Sequence, residues 1–301
     1  MMKTLLGWAK LLFTPIALAF LFYFVWLARH DLAVLLSEAS LLRLTTALLL
    51  WCLFNMATPW LSSLLLGGCG SKVSCWQAFA IHASRLPARY VPGGVWHTVG
   101  RVMDYRQAGV DPRHLTAFVV LENGLAAAVA MAVGGGIVFL SHSSTFWGSI
   151  AGASSLAGIV AIPVLGIVVN RTILTRPDRM HVLVYGCAVG VMAMIWVVAT
   201  TAFLLYLNAF PYAIGDHTQI EMGGIYLFSW GVGFLSVFAP QGIGVFELIS
   251  SELTQSSIGF VGSAALIGGF RLVVLMADLA VWFGYHLKRI RVGNNPITDQ
   301  K

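Results

Sequence analysis

Long apolar segments, separated by short polar stretches, run along nearly the whole chain. A helix needs about 20 apolar residues to cross a bilayer, and most of the apolar segments approach or exceed that length. The segments are residues 8–28, 44–66, 115–140, 147–170, 182–207, 223–239 and 257–287. The pattern therefore predicts an all-α protein built from transmembrane helices.

The composition agrees with this pattern and excludes a soluble globular protein. Hydrophobic residues make up 58% of the chain and charged residues only 10%, whereas about 25% of residues are charged in soluble domains. The apolar run 11–28 is long enough to span, and no small-residue cleavage site follows it. We therefore predict a retained first helix rather than a signal peptide, and we expect no nucleic-acid partner.

Lysine and arginine are distributed unevenly among the predicted loops. Of the 18 basic residues, only Arg29 and Arg43 fall in loops 29–43, 141–147 and 208–222. Basic residues concentrate on the cytoplasmic side of membrane proteins. We therefore predict a multi-pass protein of the inner cell membrane, with these three loops outside and both termini in the cytoplasm.

This orientation leaves one apolar segment too many near the C-terminus. Loop 208–222 is predicted to be outside and the end of the chain inside, yet two apolar segments lie between them. We resolve this by predicting that residues 223–256 enter from outside, break at the sequence "PQGIG" and return to the same side. This segment would be a re-entrant helical hairpin, not a crossing.

A second interrupted segment lies on the predicted cytoplasmic side. Residues 75–100 contain "RLPARYVPGGVW", which is too apolar for a solvated loop and too interrupted to span. We predict a second re-entrant hairpin that faces the opposite way. Broken backbone at membrane depth requires a polar cavity or a protein environment, because lipid offers no hydrogen-bond partners. The residues that form the two breaks are Pro92, Gly93, Gly94, Pro240, Gly242 and Gly244.

The resulting architecture is a single membrane domain, 1–301, with about six transmembrane helices, two hairpins and a cytoplasmic tail, 289–301. Each half, 1–140 and 147–288, would hold three crossings and one hairpin, so the halves form a candidate inverted repeat. Pro92 precedes Glu122 by 30 residues and Pro240 precedes Arg271 by 31. The spacing matches Glu122 with Arg271 and predicts an ion pair between them.

Three arginines, Arg85, Arg89 and Arg101, flank the first break. A guanidinium matches a phosphate with two parallel hydrogen bonds, so these side chains are candidates for binding a lipid phosphate. The alternative is that they only anchor a cytoplasmic segment against anionic headgroups. Two histidines, His82 and His97, lie beside them, and we interpret both as structural.

Four other ionisable residues lie in or next to apolar segments, where a charge is costly and marks a candidate functional position. Glu122 is interpreted either as part of the substrate site or as a structural partner of Arg271. Arg271 and Asp278 are two helical turns apart and share a face that lines a cavity or locks to a neighbouring helix. Glu247 follows the second break and either caps a short helix or lines the cavity.

The two interrupted motifs also carry a family resemblance. "RLPARYVPGGVW", Arg101, "AGV" at 108–110, Glu122 and "PQGIGVFE" resemble the lysylphosphatidylglycerol synthase transmembrane-region family. The resemblance implies an integral protein that binds or translocates lipid in a central cavity. No aminoacyltransferase domain follows Leu287 in this sequence, so we do not expect the synthase activity of the larger members.

Three classes of function follow from these observations. We favour a protein that binds or translocates an anionic phospholipid or a polyprenyl-phosphate-linked lipid. The alternative is a non-transporting partner of a lipid or glycan biosynthesis enzyme. A membrane-embedded transferase with a site made from His97, Asp104 and Glu122 is least favoured, since the chain has no HExxH, P-loop or Gly-x-Ser-x-Gly motif. We expect no cofactor and no metal.

Overall fold

The computed structural model describes residues 26, 37–90, 95–175, 177–211, 215, 217–236, 242–254 and 259–292. Helices dominate these ranges, and no β-strand occurs in them. The predicted first span, apart from residue 26, lies outside the described residues. So do Pro92, Gly93, Gly94 and Pro240 of the predicted breaks and residues 293–301 of the predicted tail.

Nine α-helices lie within the described part of the chain. They are α1 (Leu41–Gly68), α2 (Cys75–Arg85), α3 (Trp96–Gln107), α4 (Pro112–His142), α5 (Phe146–Val168), α6 (Val182–Leu207), α7 (Gln219–Leu235), α8 (Val245–Thr254) and α9 (Gly259–Val292). A 3-10 turn, Leu86–Tyr90, follows α2, and a π-helical turn, Val169–Ile173, extends α5.

Five helical segments are long and apolar enough to cross a membrane, and they confirm the prediction of a multi-pass, all-α membrane protein. They are Leu41–Gly68, Pro112–His142, Phe146–Ile173, Val182–Leu207 and Gly262–Ile290. The predicted apolar segment 223–239 becomes α7, which has only 17 residues and ends at Leu235. The interrupted segment 75–100 becomes α2, the 3-10 turn and α3.

Polar side chains fix where several helices begin. Ser74, Thr145 and Thr218 each accept a hydrogen bond from a backbone N–H in the first turn of the helix that follows. Asp111 does the same for α4, where Pro112 occupies the first helical position. These caps satisfy N–H groups that have no partner within the helix, so the helix starts follow from local sequence.

Contacts between loops divide the helix ends into two groups, one at each end of the bundle. At one end, Ser71 Oγ lies 2.7 Å from His114 Nδ1, and His114 Nε2 lies 3.4 Å from an Asp178 carboxylate oxygen. These residues belong to three segments that the basic residues predict to be cytoplasmic. The contacts place the three segments together, while their cytoplasmic orientation stays a prediction.

At the other end of the bundle, the start of α1 meets the end of α6, where Ser40 donates its backbone N–H to Ala209 O at 2.8 Å. His142, at the end of α4, lies 3.7 Å from Glu221 near the start of α7. His217 pairs with Glu221 at 2.9 Å and also contacts the carbonyl oxygen of Thr254, the last residue of α8. The helix ends grouped here adjoin the loops predicted to be outside.

Close packing of α4 against its neighbours depends on small residues. A Cβ atom on Gly134 would lie 2.5 Å from the backbone nitrogen of Phe228 in α7. A Cβ on Gly158 in α5 would lie 2.6 Å from the carbonyl oxygen of Ala128 in α4. Helices in membranes associate closely through such positions, so α4 forms the centre of the bundle.

Candidate functional site

Three arginines of the segment 75–107 each meet a carboxylate inside the helix bundle. We call these six side chains the arginine–carboxylate network. Its ion pairs are Arg85–Asp104, Arg89–Asp278 and Arg101–Glu122. The arginines come from α2, the 3-10 turn and α3, and the carboxylates come from α3, α9 and α4. The network therefore joins the interrupted segment to two of the long helices and is formally neutral.

Arg101 and Glu122 form the most buried pair of the network. Arg101 Nη1 and Nη2 donate to the two oxygens of Glu122 at 2.9 and 3.0 Å, and Nη2 also donates to Ser62 Oγ at 2.7 Å. The guanidinium lies over the Phe118 ring, 5.1 Å from its centroid. Only 3% of the Arg101 side chain is exposed, so a ligand has little access to it in this conformation.

Asp278 is the acceptor on which three donors converge. Asn55 Nδ2 donates at 2.7 Å, Tyr90 Oη at 3.1 Å, and Arg89 Nη1 to both carboxylate oxygens at 3.1 and 3.3 Å. The three donors come from α1 and the 3-10 turn, and Asp278 is 1% exposed. Asp278 thus connects the last long helix to the interrupted segment.

Arg85 and Asp104 form the outermost pair of the network. Arg85 Nε and Nη2 donate to the two Asp104 oxygens at 2.7 and 2.6 Å, and 42% of the Arg85 side chain is exposed. Gly100 provides the space, because a Cβ there would lie 3.0 Å from Arg85 Cδ. Of the three arginines, Arg85 is the most accessible to an anion from outside the bundle.

Two histidines of the interrupted segment lie between the ion pairs. The rings of His82 and His97 meet edge to face, with centroids 5.3 Å apart, and His82 Nε2 lies 3.4 Å from Asn55 Oδ1. Burial, together with the nearby arginines, lowers the pKa of both imidazoles. Both rings are buried among the charged side chains, and their structural role stays a prediction.

The predicted ion pair between Glu122 and Arg271 is wrong. Glu122 pairs with Arg101, whereas Arg271 donates through Nε to Glu247 Oε1. Glu122 and Arg271 each pair with a residue of the short helix that precedes them in the chain, so neither charge needs the other as a partner. The shared face predicted for Arg271 and Asp278 also serves two different partners, since Asp278 turns toward Asn55 and Arg89.

The second break is built around Glu247. Its Oε2 accepts the backbone N–H of Gly244 at 2.7 Å, its Oε1 accepts from Arg271, and the residue is 2% exposed. Gly242 and Gly244 have φ values of +67° and +85°, a backbone region that side chains rarely adopt. The carboxylate therefore supports the start of α8, as the capping interpretation predicts, and it also fixes Arg271. The alternative, that Glu247 lines a cavity, stays a prediction.

The two halves carry the same kind of ion pair with the charges exchanged. In the first half, the short helix α3 supplies Arg101 and the following long helix α4 supplies Glu122. In the second half, the short helix α8 supplies Glu247 and the following long helix α9 supplies Arg271. The sequence spacing drew attention to Glu122 and Arg271 on the long helices and missed their partners, Arg101 and Glu247, on the short ones.

Several members of the site were missed by sequence reasoning. Asn55 and Ser62 are polar residues within the apolar segment 44–66. The side-chain amide of Asn55 in such a segment was a usable signal of a buried polar contact. Asp104 was considered only as a component of a transferase site. Tyr90 carries no local signal, because its contact with Asp278 depends on how the 3-10 turn meets α9.

The chemistry of the site is that of paired charges. In the described ranges, no group of three histidine, cysteine, aspartate or glutamate side chains is arranged to hold a metal ion. The described cysteines, Cys52, Cys69, Cys75 and Cys187, are all free thiols. What the site offers is a set of guanidinium groups held by carboxylates within a bundle of apolar helices.

Comparison of the sequence with models of known protein families finds no match, and comparison with curated proteins finds no significant relative. The resemblance of residues 85–124 and 239–252 to the lysylphosphatidylglycerol synthase transmembrane-region family therefore stays an interpretation of those motifs.

Proposed function

We propose that this protein binds and translocates a lipid with an anionic headgroup, either an anionic phospholipid or a polyprenyl-phosphate-linked lipid. The observation that carries the proposal is the burial of Arg101, Glu122 and Asp278 among helices apolar enough to span a membrane. Charges at that depth are expensive and usually mark a pathway for a polar group. A lipid headgroup is the polar group that a bilayer supplies.

The proposed topology has six crossings, two re-entrant hairpins of opposite direction and both termini in the cytoplasm. Contacts at the ends of the two interrupted segments support it. Ser71 and His114 bracket the first segment and lie 2.7 Å apart, and His217 and Thr254 bracket the second and are in contact. A segment whose two ends meet returns to the side from which it entered.

The pattern of helix packing supports an inverted repeat of residues 1–140 and 147–288. The contact of α2 with α9 corresponds to the contact of α7 with α4, and the contacts α1–α2 and α3–α4 correspond to α6–α7 and α8–α9. The central contact of α1 with α6 joins equivalent helices. Many transporters place their binding site between two such halves.

In the proposed mechanism, a headgroup phosphate first meets Arg85, whose side chain is 42% exposed. The phosphate takes the place of Asp104 as the bidentate partner of the guanidinium, since both anions offer two oxygens to the same fork. Arg89 and Arg101 lie deeper and continue the path toward the bundle interior. The acyl chains remain in the bilayer throughout.

The test is lipid scrambling in liposomes that contain the purified full-length protein. Dithionite destroys a fluorescent phosphatidylglycerol tracer in the outer leaflet only, so about half of the signal survives in sealed vesicles without transport, as their leaflet areas are similar. We expect the wild-type protein to reduce the surviving fraction well below half and Arg85→Gln to slow this loss. Arg113→Gln, which changes an exposed arginine outside the network, is the matched control and should behave as wild type.

Translocation would be excluded if vesicles with the wild-type protein kept the same fraction of tracer fluorescence after dithionite as empty vesicles. This result would have to hold for both the phosphatidylglycerol and the polyprenyl-phosphate tracers. That result would favour the alternative, a non-transporting partner of a lipid or glycan biosynthesis enzyme. One observation already favours the alternative: each network arginine has a carboxylate partner within the chain. A scaffold needs such internal neutrality and no path for a ligand.

A further inference from the structure

Arg271 differs from the three network arginines in how its guanidinium is used. Arg85 and Arg101 each donate through two nitrogens to a carboxylate, and Arg89 Nη1 reaches both oxygens of another. Arg271 donates to Glu247 through Nε alone. Within the described residues, its two terminal nitrogens have no hydrogen-bond partner, and 29% of the side chain is exposed.

Glu247 and Phe246 both contact this guanidinium. Glu247 is held by the backbone N–H of Gly244 and is almost completely buried, so its contact with Nε sets the plane of the group. The Phe246 ring lies against the same guanidinium, with its centroid 5.7 Å from Arg271 Cζ. Because Nε is engaged by Glu247, the edge formed by Nη1 and Nη2 is the part of the guanidinium left to meet a ligand.

Arg271 lies within a candidate membrane span, where leaving Nη1 and Nη2 without a hydrogen-bond acceptor is costly in free energy. Arg271 lies about 18 Å along α9 from its first residue, at 1.5 Å per residue, within the candidate span Gly262–Ile290. Two guanidinium nitrogens without an acceptor at that depth need water or an anionic partner, because hydrocarbon offers no acceptor. The positive N-terminal end of α8, next to Glu247, adds to the attraction for an anion.

We propose that Arg271 is a second phosphate-binding subsite of this protein, in addition to Arg85, with its Nη1 and Nη2 donating to two oxygens of a phosphate ester. Glu247 and Phe246 are positioning residues for the guanidinium. This inference rests on the lipid-binding function proposed above and deepens it. The subsite lies in the second half of the chain, whereas the sequence placed phosphate recognition at Arg85, Arg89 and Arg101.

The experiment measures binding of short-chain phosphatidylglycerol to the purified full-length protein in a non-ionic detergent. Short-chain diacylglycerol, which lacks the phosphate, is the matched ligand, and sodium phosphate is the competitor. Arg271→Lys retains the charge and a contact with Glu247 but loses the two-pronged edge. We expect its affinity for phosphatidylglycerol to fall about tenfold, since a hydrogen bond to a charged group contributes roughly that factor.

Arg271→Gln should weaken binding further, and Arg113→Gln should leave it unchanged. Thermal unfolding and gel filtration of each variant identify any loss of folding. If Arg271→Gln does not fold, the double variant Arg271→Gln with Glu247→Gln removes the uncompensated charge, and Arg271→Lys still supplies the comparison.

If sodium phosphate competes with phosphatidylglycerol, the subsite recognises a phosphate group whether it is free or part of a lipid. If lipid binding depends on Arg271 but sodium phosphate does not compete, the subsite recognises the phosphate only as part of a lipid. Equal affinity of wild type, Arg271→Lys and Arg271→Gln for phosphatidylglycerol would overturn the inference and leave the proposed function standing. Arg271-dependent phosphate binding without any lipid binding would support the subsite and overturn the function. Binding of neither ligand by the wild-type protein would overturn both.

Discussion

Arg101 and Glu122 form a two-pronged ion pair, with the terminal guanidinium nitrogens 2.9 and 3.0 Å from the two carboxylate oxygens. Both side chains are buried, and Ser62 bonds to each of them. A buried pair of this kind is costly to break, because removing one partner leaves an uncompensated charge. It is the tightest link between the interrupted segment and α4.

Glu122→Gln or Arg101→Gln alone should lower the free energy of unfolding by about 3–5 kcal/mol. The double variant should lose less than the sum, so the double-mutant cycle on thermal stability should give a coupling energy above about 1 kcal/mol. The control cycle combines Glu122→Gln with Arg271→Gln, and its effects should add within about 0.5 kcal/mol. A coupling energy between Glu122 and Arg271 as large as that between Arg101 and Glu122 would contradict the pairing of Glu122 with Arg101.

Asp278 offers a graded test of the same network. Tyr90→Phe removes one neutral donor and should cost about 0.5–1.5 kcal/mol of stability. Asp278→Asn removes the charge that faces Arg89 and should cost more, about 3 kcal/mol. Chemical denaturation in detergent measures both losses, and an Asp278→Asn variant no less stable than Tyr90→Phe would show that the carboxylate charge is dispensable.

The glycines of the second break should differ in what they tolerate. Gly244 has a positive φ and open space, so Gly244→Asn should cost about 1 kcal/mol or less, because asparagine adopts this backbone region readily. Gly242 also has a positive φ, and a Cβ there would lie 2.8 Å from Gly233 Cα. Gly242→Asn should therefore reduce folded yield strongly.

The control for the break is Gly186, where a Cβ meets nothing within 4 Å. Gly186→Asn and Gly186→Val should change thermal stability little. If Gly242→Val and Gly186→Val give the same folded yield, the close approach of Gly242 to Gly233 has no structural importance.

Two cysteines six residues apart should react very differently with maleimide. Cys69 is fully buried, and burial raises the pKa of its thiol to about 12, with a smaller contribution from Asp178. Since only the thiolate reacts, Cys69 should remain unmodified at pH 8 until the protein unfolds. Cys75 is exposed and should react readily. Mass spectrometry of native and unfolded samples separates the two, and rapid native modification of Cys69 would be inconsistent with its burial.

The proposed orientation is tested by single cysteines on a cysteine-free background. Ser144→Cys should react with a membrane-impermeant reagent in intact cells, because its loop is predicted to be outside. Arg289→Cys should react only after permeabilisation. Strong labelling of Arg289→Cys in intact cells would reverse the proposed topology.

The five spans within the described residues were predictable to within about five residues, because the bilayer imposes a minimum apolar length on any helix that crosses it. The interruption of segment 75–100 was also predictable, since proline and arginine disrupt an apolar run. The partner of Glu122 was not predictable. The spacing of Pro92 from Glu122 and of Pro240 from Arg271 suggested only that Glu122 and Arg271 be compared. The direction in which α3 and α8 present their charges depends on backbone turns that no periodicity encodes.

The convergence of Asn55, Arg89 and Tyr90 on Asp278 has a consequence for how the chain is made. Arg89 and Asp278 are separated by 189 residues. At a synthesis rate of about 5–20 residues per second, the three donors exist for about 10–40 seconds before their common acceptor leaves the ribosome. The N-terminal half therefore enters the membrane before it can take its final packing. The packing of Asn55, Arg89 and Tyr90 around Asp278 is therefore completed only when α9 joins the bundle.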